Sequence, residues 1–417
     1  MDPGYLVTGR TLALPGGQVM SSQPQNPFAN LPASGQPTMS PPPAQFDGGG
    51  PARGSGKKSV VNRFTPMEFS GTGLQLFGIQ FLNLLLISLT LGIWTPWARV
   101  RKRRFFYNNT RILDEGLDYL ATGFDIFKGW AIVTLILGLF YALPLLGVPF
   151  LQELLSLLLV FIYPWAINRS LRFNARSLAW RDVRFDFNGS YLGSVWYFFL
   201  LPLIGILTLG LLVPFASKAM RDYVGKNYSF GTASFHCDAS LGSYYGAGFK
   251  TALLFLILGA PVIGLAFVML SGVLAQIMAG GMTEAEFYGL AADPSLSTAM
   301  YVLPVILFFL FMITGSYYRA LTRNIMVNAL RLQGGVRFRS DVSGLVLAWI
   351  MVSNLILVVL TLGLLQPWTQ VRQYRYLTEN TEIRPIADMK GFIDKQLRAG
   401  GSVGDAVGET TSMEITF

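Results

Sequence analysis

Residues 90–109 read Thr90-Leu91-Gly92-Ile93-Trp94-Thr95-Pro96-Trp97-Ala98-Arg99-Val100-Arg101-Lys102-Arg103-Arg104-Phe105-Phe106-Tyr107-Asn108-Asn109. An apolar run closes on Thr-Leu-Gly, Pro-Trp follows, and a dense basic stretch comes next. Trp favours the membrane–water interface and Lys/Arg the cytoplasmic side, so this one stretch writes a membrane boundary into the chain. The pattern is used three times. Thr90-Leu91-Gly92, Thr208-Leu209-Gly210 and Thr361-Leu362-Gly363 are identical, and each leads at a fixed distance to Pro plus an aromatic: Pro96-Trp97, Pro214-Phe215, Pro367-Trp368. Further on, at constant offsets, stand Phe105, Tyr223 and Tyr376, then Asn109, Asn227 and Asn380. Ahead of the tripeptides, Gly71 and Gly189 occupy matching places, with Val342 in the third copy.

Working outward, these copies define three A units (64–112, 183–230, 336–382) separated by two helical-hairpin B units (128–178, 249–332). Agreement at so many fixed offsets is the signature of an internal repeat. The B units match more loosely: Tyr163, Arg169 and Asn174 correspond to Tyr317, Arg323 and Asn328. Seven apolar runs result: Leu74–Trp97, Trp130–Leu146, Phe150–Trp165, Leu192–Phe215, Thr251–Gln276, Met300–Tyr317 and Leu345–Trp368. The longest would reach about 36 Å as straight helices, enough to span a bilayer. Pro144 and Pro149 break the first B unit into a tight hairpin. A polar loop carrying Glu284, Glu286 and Asp293 breaks the second.

The composition agrees. Of 417 residues, 52% are hydrophobic and 13% charged, where soluble globular proteins carry about 25% charge. That excludes an ordinary soluble enzyme. The net charge of +9 sits at the ends of apolar runs, where it sets topology and meets anionic lipid rather than nucleic acid. One Cys and one His exclude an internal disulfide and a His-rich metal site. Residues 1–60, rich in Pro, Gly, Ser and Gln, read as a disordered tail. They show no basic start and compact apolar core of a cleavable signal peptide. Residues 385–417 read as a second polar tail around the 64–384 membrane domain. The expected fold is an all-α polytopic integral membrane protein with internal repeats. Short β elements at the membrane surface are expected at Met67–Phe69, Leu117–Thr122, Val183–Phe187, Ser234–Asp238 and Val336–Arg339.

The A unit, with Thr-Leu-Gly, Pro-Trp, the basic stretch and Asn-Thr (Asn109-Thr110, Asn380-Thr381), resembles the YjgN family of bacterial inner-membrane proteins over about 64–384. The middle copy departs from the pattern, with Phe215 for Trp and Tyr228 for Thr. The resemblance implies a multi-pass protein of the bacterial inner membrane. That family is a domain of unknown function, so the resemblance brings no substrate, activity or catalytic residue with it.

Topology poses a conflict. Arg99, Arg101, Lys102, Arg103 and Arg104 follow the first A segment; Lys218, Arg221 and Lys226 the second; Arg372 and Arg375 the third. Arg169, Arg172 and Arg176 follow the first B hairpin, and Arg319, Arg323 and Arg331 the second. Seven plain crossings cannot put all of these on the cytoplasmic side. Four crossings by the B units with three re-entrant A segments can, with the weak points at Asn83, at Pro202 with Gly205, and at Ser353-Asn354. Seven plain spans with some basic loops outside is the commoner architecture, and both remain open.

Candidate pathway or packing residues are Asn83, Thr90, Thr208, Asn354 and Thr361. Candidate lipid-contact residues are Arg99, Arg101, Lys102, Arg103, Arg104, Arg372 and Arg375. Asn109, Asn227 and Asn380 are expected to cap the basic helices. His236-Cys237-Asp238 has no second His to complete a metal or nucleophile site, and Glu153 is expected at the outer interface. No enzyme, metal or cofactor is expected. The expected function is passage of a small solute or lipid across the membrane. The alternative is a non-transporting protein that binds anionic lipid or scaffolds the membrane. Membrane lipids, anionic ones foremost, are the expected partners.

Overall fold

In Val183–Phe187 and Val336–Ser340 the first and last residues are buried while Arg184, Arg337 and Arg339 stay exposed. Ala233–Cys237 alternates likewise around buried Phe235 and exposed His236. A period of two is that of a strand with one covered face. The computed structural model, which describes residues 63–143, 147, 149–278, 289 and 294–399, joins these segments into one sheet.

Eleven strands take part: β1 Thr65–Pro66, β2 Glu68–Phe69, β3 Thr110–Ile112, β4 Glu115–Tyr119, β5 Leu178–Trp180, β6 Val183–Phe187, β7 Tyr228–Phe230, β8 Ala233–Cys237, β9 Leu330–Leu332, β10 Val336–Ser340 and β11 Thr381–Arg384. Their order is β1-β11-β10-β9-β8-β7-β6-β5-β4-β3-β2, with antiparallel pairing throughout. The two ends of that order, β1 and β2, are halves of one extended segment parted only by Met67, so the sheet returns upon itself as a nearly closed barrel. Two hairpins turn through residues with positive φ at both central positions, Leu113-Asp114 and Arg181-Asp182. That backbone matches the strand twist.

Helices fill every connection at the other end: α1 Gly73–Leu89 and α2 Thr95–Asn108, α3 Gly123–Ala142 and α4 Pro149–Arg176. Then come α5 Tyr191–Leu207 and α6 Val213–Asn227, α7 Leu241–Met278 and α8 Pro294–Ala329, α9 Gly344–Leu360 and α10 Gln366–Glu379. All five helical pairs leave from and return to the same end of the sheet, because each is inserted between one β-hairpin and the next. Capping boxes start α1 (Thr72 with Gln75) and α3 (Thr122 with Asp125). Pro202, which has no N–H to give, follows a π-helical turn at Val195–Leu200 in α5.

Two expectations are corrected. The fold is not all-α: the isolated surface β elements are members of a continuous antiparallel sheet, joined by the three- and four-residue strands β3, β5, β7, β9 and β11 that directly follow helix ends. Their backbone groups are satisfied by each other, which is why such short pieces persist. The 24-residue A runs are not straight helices either. Each stops after 17 residues at its Thr-Leu-Gly turn and reverses into a second helix. The reversal lies at the tripeptide; Asn83 and Asn354 sit inside the first helix. Among the described residues four helices are long and apolar enough to cross a membrane: α3, α4, α7 and α8. Residues 1–60, the Pro144 break, the carboxylates Glu284, Glu286 and Asp293, and residues 400–417, for which the sequence carries expectations, lie outside the described residues.

Each reversal is a Schellman motif. Gly92 N–H donates to Ile87 O (2.8 Å), Gly210 to Gly205 O (3.0 Å) and Gly363 to Val358 O (2.8 Å). The left-handed residue, commonly Gly, is Leu91, Leu209 or Leu362, with φ 50–51°. These leucines are 94%, 96% and 95% exposed. An apolar side chain held at a tip in a costly conformation suits a hairpin that dips into hydrocarbon.

The helices stand in a ring. Trp97 covers Gly123 at the start of α3, and Trp368 covers Gly73 at the start of α1, leaving no room for a Cβ at either glycine. The second contact joins the last A unit to the first. Gln80 Nε2 donates to Gln370 Oε1 at 2.9 Å across the same seam. A final helix, α11 (389–399), lies at the turn end of the sheet. There Gln396 Oε1 accepts from Thr232 N, Thr232 Oγ1 and Ala233 N at 2.8, 2.7 and 3.1 Å. Phe392 stacks on Phe230 (6.3 Å), and Ile393 is buried in the core formed by Leu117, Trp180, Phe230, Leu332 and Val336.

Candidate functional site

The A-unit threonines serve the turns. Thr90 Oγ1 donates to Leu86 O (2.7 Å) and accepts from Trp94 N (3.0 Å). Thr208 bonds Ile204 O (2.9 Å) and Leu212 N (3.3 Å). Thr361 bonds Leu357 O (2.7 Å) and Leu365 N (3.2 Å). Asn109, Asn227 and Asn380 each donate Nδ2 to the carbonyl four residues back, at 2.7 Å, closing α2, α6 and α10.

Asn83 and Asn354 do not meet. Each is buried against the returning helix of its own unit. Asn83 Oδ1 accepts from Arg101 Nη1 at 3.3 Å. Asn354 Oδ1 accepts from Arg372 Nη1 at 3.4 Å, and its Nδ2 donates to Thr369 O at 3.0 Å. The middle unit carries Leu201 and Ala219 at the matching positions, so both members of the pair are replaced together.

The basic candidates divide. Arg103 Nη1 donates to Asn174 Oδ1 (2.6 Å) and Tyr119 Oη (3.1 Å), and Arg375 Nη2 to Gly71 O (2.9 Å). With Arg101 and Arg372 they tie helices together. The side chains of Arg99 and Arg104 are exposed, and half-burial of Lys102 lowers its pKa. His236 faces out while Cys237 faces in, fully buried. Burial, aided by Asp222, pushes the Cys237 thiol up to about 11, which disfavours its thiolate. Glu153 is exposed on α4. Among the described residues no cluster of His, Cys, Asp and Glu could hold a metal.

One cavity was not announced by the sequence. It lies within the sheet and measures about 460 Å³. Its wall is drawn from nearly every strand, with Ile112, Leu117, Trp180, Phe230, Phe338 and Ile383 among the lining residues. Trp180 Nε1 is buried in this wall without a hydrogen-bond partner. At the helical end the lining passes to Arg323, Leu377 and Thr378.

Arg323 and Leu377 also line a second cavity of about 200 Å³, which Arg221 and Arg319 complete with Ser316 and Gln373; none of its lining residues is acidic. Arg221 is held by Thr322 Oγ1 (2.8 Å), and burial lowers its pKa. Arg323 is held by Ser340 Oγ, by Leu377 O (3.1 Å) and by Thr381 Oγ1 (2.7 Å). The Arg319 side chain has no hydrogen-bond or ion-pair partner among the described residues. Three guanidiniums without a carboxylate thus line a cavity that adjoins an apolar chamber. Guanidinium forks match phosphate and carboxylate, and a chamber of this size and polarity suits a ligand's apolar body. From their place after the second B hairpin, Arg319 and Arg323 read as topology signals. The signal that could have singled out Arg323 is its correspondence with Arg169 in the B units.

Comparison with known proteins places these features in context. A family model described as a bacterial protein of unknown function (DUF898) matches residues 64–410. The chain is similar to inner membrane protein YjgN of Salmonella typhimurium, 26% identical over 369 residues, which cover 79% of this chain and 91% of the relative. It is also similar to inner membrane protein YjgN of Escherichia coli O157:H7 and of strain K12, each 24% identical over 368 residues, covering 79% of this chain and 90% of the relative. No solved structure matches.

Proposed function

For a chain that belongs to the DUF898 family and is a multi-pass protein of the bacterial inner membrane, we propose the binding of an anionic amphiphile, its headgroup on Arg221, Arg319 and Arg323 and its apolar tail in the chamber of the sheet. The observation that carries this reading is that Arg323 and Leu377 line both cavities, so the cationic cavity and the apolar chamber adjoin at these two residues. In this reading α3, α4, α7 and α8 cross the membrane. The three A hairpins enter and leave on the cytoplasmic side as copies of one repeat, and the barrel lies at that surface. The α1, α5 and α9 helices, 17 residues each, reach about 25 Å, short of the roughly 30 Å hydrocarbon core. All five helical pairs start and end at one end of the sheet, which gathers the basic flanks on one side as the positive-inside bias asks. The chamber's role is binding and needs no catalytic group or cofactor.

The test is mass spectrometry of lipid retained by the purified full-length protein. The expected result is co-purifying anionic lipid, reduced on Arg319→Gln with Arg323→Gln and also on Phe338→Trp, which fills the chamber without touching charge. Retention unchanged in both variants would overturn the reading. The other reading, passage of a solute or lipid across the membrane, rests on the four long apolar helices. It predicts flux in proteoliposomes that the same variants abolish.

A further inference from the structure

The ring of helices is uneven. The α7 and α8 helices pack along each other, α7 also against α6 and α8 also against α9. The first B hairpin differs: α3 leans on α2, while α4 leans on β6 and α5, and among the described residues the two barely touch each other. Both helices are left apolar and uncovered, with Ile132, Leu135 and Leu139 exposed on α3 and Leu154, Leu158 and Phe161 exposed on α4. The ring therefore has an opening toward the bilayer.

At the foot of this opening, where α3 leaves the sheet and α4 returns to it, lies a cavity of about 270 Å³ lined by Arg169, Arg172, Arg176 and Arg184, with Asp125 as its one acidic neighbour. Two of the arginines are committed to the protein. Arg172 Nε donates to Phe187 O (3.1 Å) and its Nη2 to Gly189 O (3.3 Å). Arg176 forms a fork on Asp186 at 2.8 and 3.1 Å. Asp125 is spent on capping α3, accepting from Thr122 N and Oγ1 at 3.0 and 2.6 Å. The side chains of Arg169 and Arg184 have no such partner among the described residues. The four guanidiniums outnumber Asp125 and Asp186 by two charges. Charge of this sign at the end of an apolar opening is complementary to one occupant, a lipid whose phosphate sits at the interface and whose chains run into hydrocarbon.

We propose that this cavity is a second, separate site: it holds the phosphate headgroup of an anionic phospholipid of the surrounding leaflet, on Arg169 and Arg184, with the acyl chains lying between α3 and α4. The site shares no lining residue with the chamber or the arginine-lined cavity that adjoins it, so it stands or falls apart from them.

The experiment uses the full chain in nanodiscs of phosphatidylcholine with a minor fraction of phosphatidylglycerol, followed by native mass spectrometry of the lipids that stay bound. The wild type should retain phosphatidylglycerol well above its share of the bilayer. Arg169→Gln with Arg184→Gln should lower that enrichment at least about fivefold, and Arg169→Lys with Arg184→Lys should keep most of it, which controls for folding. The chamber variant Arg319→Gln with Arg323→Gln should leave this bound lipid in place while reducing the other. The proposal is overturned if the Gln pair retains phosphatidylglycerol like the wild type. It is equally overturned if millimolar inorganic phosphate displaces the lipid completely, since the occupant would then be a free anion.

Discussion

At the scale of single residues, the structure repeats small hydrogen-bonded devices, and the middle A unit shows which of them are dispensable. Leu201 and Ala219 there replace the Asn and Arg that pair as Asn83 with Arg101 and Asn354 with Arg372. Removing one partner leaves a buried polar group unpaired, while removing both can be nearly neutral. Asn83→Leu alone should therefore cost about 1–3 kcal/mol, and Asn83→Leu with Arg101→Ala distinctly less, measured as a double-mutant cycle by denaturation in detergent. Cys237 offers a pH test. Its folded pKa of about 11 lies above that of an exposed thiol, so the folded state holds a proton that the unfolded state has already lost. Its contribution to stability is complete below about pH 9 and is lost as pH rises toward 11. Cys237→Ala should flatten the fall in stability across that window, and the native thiol should resist a maleimide at pH 8 until the protein is denatured. The threonines and asparagines were legible because local bonds tie each to its own offset. The arginines were not, because the same residue type marks topology at Arg99 and lines a cavity at Arg323, and only burial tells these apart.

At the scale of elements, hydropathy misreads a hairpin that turns inside its own apolar run. The helix-ending glycine is one place late in each A unit, because Leu91, Leu209 and Leu362 take the left-handed position. The sequence therefore runs on as 24 apolar residues with no visible stop. The strands that the sequence missed, such as Leu178–Trp180 and Tyr228–Phe230, are too short to display a period of two. The longer ones, Val183–Phe187 and Val336–Ser340, displayed it plainly. The geometry of the turns makes a prediction for topology. On a Cys237→Ala background, Lys226→Cys should escape a membrane-impermeant maleimide in intact cells and react after permeabilisation. Labelling in intact cells would place the end of α6 outside and break the same-side arrangement. Gly92, at φ 93°, should not accept a β-branched residue. Gly92→Val should lower stability by about 1–3 kcal/mol, read as thermal unfolding in detergent.

At the scale of the whole molecule, two seams decide integrity: the pairing of Thr65 with Ile383 and the packing of Trp368 on Gly73. A side chain at 73 must push Trp368 aside, so Gly73→Ala should destabilise by about 1–3 kcal/mol and broaden the unfolding transition. Removal of 389–399 uncovers the chamber's far end and should raise binding of a solvatochromic dye, with Phe392→Ala giving a smaller rise. No sequence pattern announced either seam, since each joins residues some 300 positions apart and local periodicity carries no register over such distances. The closing of the sheet through Met67 also governs how the chain can be made. The first strand waits with its edge unsatisfied until the eleventh has been synthesised. Insertion of the long helices can thus proceed one hairpin at a time during translation, whereas completion of the barrel must follow it. An arrested nascent chain lacking Thr381–Arg384 would be threaded into the bilayer yet carry two open strand edges, ready targets for a quality-control protease.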